Sequence, residues 1–85
     1  MRTIQVTLGA AATQVTAAKI YSPFVIIQNN AGHTVRVGDN TVTATKGVSV
    51  SATGSITVQR ADNRILLAQY YLFGTQNDVI DVLYE

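Results

Sequence analysis

His33 is the one histidine of this chain, and a Ser-His-Asp relay drawn through it would take Asp39 and one of several serines. Such a relay needs its nucleophile on a strained turn beside an oxyanion hole, and no Gly-x-Ser-x-Gly pattern is present to build one. A solvated loop histidine is the simpler reading. Zinc would need further imidazole or thiolate ligands, and the chain has no second histidine and no cysteine. Three Asp/Asn pairs, Asp39-Asn40, Asp62-Asn63 and Asn77-Asp78, offer oxygens of the kind calcium takes. None has the dense acidic spacing of a calcium loop, and Asx residues are ordinary turn formers. The expectation is a protein that is not an enzyme, with no metal and no cofactor.

Four tyrosines, Tyr21, Tyr70, Tyr71 and Tyr84, could stack on sugar faces, but there is no tryptophan. Tyrosine also serves core and interface packing, because it combines apolar area with a polar tip. Lys19, Arg36, Lys46, Arg60 and Arg64 are dispersed, and six Lys/Arg against five Asp/Glu give a net charge of +1. Nucleic-acid binding calls for a basic stripe, so no nucleic-acid partner is expected. Charged residues are only 13% of the chain while 47% are hydrophobic. Soluble proteins average about 25% charged, so the surface must rely on Thr, Ser, Asn and Gln, or be covered by a partner, since interface cores are depleted in charge. No run approaches the roughly 18 apolar residues of a membrane span, and the N-terminus lacks the apolar core of a signal peptide. A cytoplasmically made protein with no membrane partner is expected.

The elements that would position these residues are short strands. Ile4, Val6 and Leu8 alternate with Thr3, Gln5 and Thr7, a half-buried strand. Phe24-Val25-Ile26-Ile27 is apolar on both faces, which places it in the middle of a sheet with something covering each side. It breaks at Asn29-Asn30-Ala31-Gly32 and resumes at Val35 and Val37, a pattern that predicts a β-hairpin over Phe24–Asp39. Gly38-Asp39-Asn40 reads as a tight turn, Val42 and Ala44 as a short edge strand, and Val48–Ser51 and Ser55–Gln59 as two more strands. Ala61-Asp62-Asn63 reads as a loop, and Arg64–Leu67 as either extended chain or one turn. Gln69–Phe73 and Asp78–Tyr84, joined by Gly74-Thr75-Gln76-Asn77, predict a second hairpin with Ile80, Val82 and Tyr84 on one face and Val79, Asp81 and Leu83 on the other. About eight short strands at close spacing predict one all-β domain over residues 1–85, a small antiparallel β-sandwich of jelly-roll or Greek-key type. So short a chain exposes sheet edges that need covering, so a homo-oligomer, dimer or trimer, is expected.

The order of these pieces resembles a family of small tailed-phage virion proteins. The residues that carry the resemblance are Ile27-Gln28-Asn29-Asn30, Val35-Arg36-Val37-Gly38-Asp39 and Val42-Thr43-Ala44-Thr45-Lys46-Gly47. Gly54-Ser55 and Gly74-Thr75 with Asp78-Val79-Ile80-Asp81-Val82-Leu83 complete it, over roughly the last two thirds of the chain. Where the family more often has a Pro-Gly-Gly-like turn, this chain has Ala52-Thr53-Gly54. The resemblance implies a non-enzymatic structural protein of the virion, similar to capsid decoration (cement) proteins, on the capsid surface with the major capsid protein as partner. No catalytic residue carries over. A carbohydrate-binding or adhesion module of a tail or fibre is the alternative. The expected contact residues are Arg2, Ile4 and Val6 in the N-terminal strand, which is also a candidate for addition to a neighbour's sheet edge, with Tyr70, Tyr71 and Tyr84 near the C-terminus.

Overall fold

The computed structural model describes residues 2–60 and 64–85. Alternating apolar and polar residues make β1 (Arg2–Thr7) and β7 (Ser55–Gln59), and mostly apolar runs make β4 (Phe24–Asn29) and β10 (Val79–Tyr84); the four form one antiparallel sheet in the order β1-β10-β4-β7. A second sheet of four strands runs β2 (Thr13–Gln14), β9 (Tyr71–Phe73), β5 (Val35–Gly38) and β6 (Val48–Val50). A small ladder joins β3 (Tyr21–Ser22) to β8 (Ile65–Leu66), and a single 3-10 turn, Leu67–Gln69, follows β8. The chain is therefore nearly all β and antiparallel, as expected, and the segment 64–67 combines both readings, extended and then a turn.

The pairing is nested from end to end. Arg2 lies opposite Tyr84, Thr13 opposite Leu72, Tyr21 opposite Leu66, Phe24 opposite Gln59 and Val35 opposite Val50. The chain is thus one long antiparallel double strand, each residue facing the one about as far from the other end. It folds over on itself where β10 pairs with β4 (Val82 opposite Ile27) and β9 with β5 (Leu72 opposite Val37). The result is two four-stranded antiparallel sheets built from one nested chain path.

Both expected hairpins are corrected by this order. β4 and β5 lie in different sheets, as do β9 and β10, so the loops 30–34 and 74–78 cross between sheets and do not turn back within one. Val42 and Ala44 form no strand; Val42 is buried in the loop between β5 and β6, its N–H donating to Asp39 O at 3.1 Å. Positive φ falls not in Gly38-Asp39-Asn40 but at Gly47, Thr53 and Asn77. The loop expected at Ala61-Asp62-Asn63 lies outside the described residues.

Side-chain period 2 decides what each strand buries. Val25, Ile27, Ile80, Val82 and Val6 from the first sheet meet Val35, Val37, Val50 and Leu72 from the second in one core, joined by Leu8, Val15, Ile65 and Leu67. Two polar residues share that core, each fully buried. The Asn29 side-chain amide donates to His33 O (2.8 Å), Val50 O (3.1 Å) and Ser51 O (3.1 Å), while its Oδ1 accepts from Ala31 N–H (3.0 Å). The Ser22 hydroxyl donates to Phe24 O (2.5 Å) and accepts from the N–H of Glu85 (3.1 Å), tying the start of β4 to the end of β10. Satisfied polar groups of this kind fix one register, because leaving them unpaired in a core is costly.

Candidate interaction surfaces

His33 and Asp39 do not meet. His33 is exposed, and its Nδ1 lies 2.9 Å from Asp78 Oδ2, a surface pair between the β4–β5 loop and the loop before β10. Asp39 is fully exposed and closes an Asx turn: its Oδ1 accepts from Thr41 Oγ1–H (2.5 Å) and Thr41 N–H (2.9 Å). The Thr41 hydroxyl, then its N–H, hold the Asp39 carboxyl below the usual carboxylate range. Asn77 and Asp78 likewise belong to the turn that ends on Leu8, whose carbonyl accepts from Asn77 N–H at 2.8 Å. Among the described residues no three His, Asp or Glu side chains gather as metal ligands would, and no helix is long and apolar enough to cross a membrane. Asp81, on the outer face of β10, is half-buried and accepts from the Asn30 side-chain amide.

The six expected contact residues divide sharply. Arg2, Ile4 and Val6 share the inward-turned face of β1; Val6 is core and Ile4 packs against it, leaving Arg2 exposed. The wet face of β1 is Thr3, Gln5 and Thr7. Tyr84 is also core, since it follows Ile80 and Val82 on the inward side of β10. Tyr70 packs against the core from the 3-10 turn, and Tyr71 is half-buried on the outer side of β9. Val6 and Tyr84 are therefore withdrawn as contact residues, because strand parity points both inward. Tyr21, 54% exposed, is the tyrosine most open to solvent; it is one of the four tyrosines with sugar-stacking potential but not one of the six expected contact residues.

Two surfaces emerge. On the outer side of the second sheet, Arg36 sits opposite Phe73, and both line an open cleft of about 440 Å3 with Thr34 and Thr75. The Arg36 guanidinium is fixed at the rim, donating to Gly47 O at 3.0 Å. A cation, an aromatic ring and hydroxyls around a shallow cleft are groups that hold neutral polar ligands. On the outer side of the first sheet, one row runs Thr3, Leu83, Ile26 and Thr57, and the next runs Gln5, Asp81, Gln28 and Ser55. Leu83, Ile26 and Phe24 make a short apolar stripe flanked by Thr, Ser and Gln, with Val79 beyond the row that holds Asp81, which is the one charge among the outward residues of the four strands. The double-sided apolarity of β4 thus corresponds to a core on one side and this half-buried stripe on the other. Among the described residues, both outer strands of this sheet, β1 and β7, present an unpaired main-chain edge.

No protein-family model, curated protein or solved structure matches this chain.

Proposed function

We propose that this chain is a non-enzymatic structural protein of a bacteriophage virion, a capsid decoration protein that binds the shell formed by the major capsid protein and works as an oligomer. The observation that carries the reading is the outer face of the first sheet: an apolar stripe bordered by neutral polar residues with a single carboxylate. Such a face is depleted in charge in the manner of interface cores, and it suits a protein partner better than an ionic or nucleic-acid one. The order of motifs from Ile27 to Leu83 supports the same reading, as does a chain with only 13% charged residues. Decoration tolerates weak single contacts, because many copies on one lattice act together.

The test is cryo-electron microscopy of the source virion with a labelled antibody to this protein. Label at regular lattice positions over the head is the expected result. Label confined to the tail favours a carbohydrate-binding or adhesion module, for which the Arg36–Phe73 cleft is the candidate site, and glycan arrays would then identify the sugar. Absence of label from the particle overturns both readings.

A further inference from the structure

β7 ends the first sheet, and the direction of its unpaired main-chain groups follows from two hydrogen bonds that extend the β4–β7 register past both ends. Asn29 N–H donates to Gly54 O at 2.9 Å, and Arg60 N–H donates to Pro23 O at 2.8 Å. Opposed residues in an antiparallel ladder alternate between those that exchange main-chain hydrogen bonds and those that do not. Residues 54, 56, 58 and 60 therefore turn their N–H and C=O groups towards β4. Ser55, Thr57 and Gln59 turn theirs outward, and their side chains are exposed.

The strand Ser55-Ile56-Thr57-Val58-Gln59 has none of the usual protections of a free edge: no lysine, no other charge and no proline. It is also nearly symmetric about Thr57. Laid antiparallel against itself, it places Thr57 against Thr57, Ser55 against Gln59 and Ile56 against Val58, polar on polar and apolar on apolar. The residues whose main-chain groups point outward are the same ones that this register makes hydrogen-bonded pairs, giving about six main-chain hydrogen bonds. Ile56 with Val58 is then the non-hydrogen-bonded pair, in which side chains approach more closely.

The core is open at this end. Ile56 and Val58 point inward and pack on the core yet both remain half-buried, whereas at the opposite edge of the sheet Ile4 is half-buried but Val6 is 5% exposed. On β6, the strand just before β7, Val48 lies opposite buried Val37 but is itself 55% exposed. β1 pairs less well with itself as an edge, because its strand begins with the charged Arg2 on the inward-turned side.

We propose that two copies of this chain pair through β7, antiparallel about a two-fold axis at Thr57, joining their first sheets into one continuous sheet and closing the open end of each core. The inference rests on the assembly part of the reading above, not on the virion part. Five residues of edge are little beside the roughly 1,200–2,000 Å2 of a standard interface. The dimer is accordingly weak in free solution and gains from crowding on a lattice.

Sedimentation equilibrium of the purified full chain, from micromolar to millimolar, is expected to show a monomer–dimer transition. Thr57→Lys sets two ammonium groups at the two-fold and removes no hydrogen bond within the chain; it is expected to raise the dissociation constant more than tenfold. Gln5→Lys on the β1 edge is expected to leave it unchanged. Because the chain has no cysteine, Thr57→Cys supplies a single thiol and is expected to give a disulfide-linked dimer on mild oxidation, while Gln5→Cys does not. A wild type monomeric throughout, a trimer, or a dimer that Thr57→Lys leaves intact overturns the proposal. None of these outcomes bears on where the protein sits in a virion, so the two readings fail separately.

Discussion

Asn29→Ala is the substitution with the largest consequence for its size. Asn29 is fully buried, and its amide meets three carbonyls, of which Val50 O is buried and those of His33 and Ser51 are partly so. Removing the donor strands one buried acceptor, at about 1–3 kcal/mol, and weakens two others that water reaches in part, at about 0.5 kcal/mol each. Ala31 N–H also loses its acceptor. The sum, about 2–4 kcal/mol, stands against a total stability of about 5–12 kcal/mol for a chain of this size. The melting temperature should fall by about 10–25 °C. Asn29→Asp separates hydrogen bonding from packing, since it keeps the volume but aims a carboxylate at three carbonyl oxygens. In that variant the folded state favours the protonated acid, so its stability is greatest at acid pH and is lost as pH rises through the raised folded value. Urea unfolding of the wild type and both variants at pH 4 and pH 7 measures each quantity. A loss below about 1 kcal/mol for Asn29→Ala, or an Asn29→Asp variant as stable as wild type at neutral pH, would refute the assignment of Asn29 as the pin between the sheets.

Gly47 has φ of +127°, and an added Cβ there would meet Val42 Cγ2 at 2.7 Å and Val37 O at 3.0 Å. Gly47→Ala should cost about 2–4 kcal/mol from strain and overpacking together, read by thermal or urea unfolding. The Asp39 carboxyl should titrate below the ordinary carboxylate range in an NMR pH series, and Thr41→Val should bring it back up, because the hydroxyl is the larger of its two donors. Its folded value being depressed, whatever stability the turn adds is present at neutral pH and fades as acid protonates Asp39. An unmoved Asp39 midpoint in Thr41→Val would assign the effect elsewhere.

Strand positions and faces were legible in the sequence because alternation reports them directly. β1 and β10 bury the residues their patterns indicate, and β4 lies inside a sheet as its continuous apolar run implies. Partners were not legible. A short Asn/Gly loop between two strand patterns reads as a hairpin because local pairing is the commonest arrangement, whereas here β1 to β4 take their nested partners from the far half of the chain, and among the described residues β5 and β6 alone pair as sequence neighbours. The same parity could have found Asn29: counting by twos from Val25 through Ile27 arrives at it, on the buried side. Its neighbours Asn30, Ala31 and Gly32 obscured this by reading as a turn. The expected contact residues Val6 and Tyr84 failed for the matching reason, because residue type was weighed above strand parity.

The nested double strand gives the molecule a direction of mechanical weakness. A load applied between residues 2 and 84 acts on the last rung of the β1–β10 ladder, Arg2 opposite Tyr84, and on that rung alone. Each broken rung passes the whole force to the next, so β1 peels like a zip, at a force set by one or two hydrogen bonds. Opposed loads along β7 and β4 are shared by every rung between them at once. The same fold is therefore compliant when drawn out by its ends and stiff when sheared along its strands.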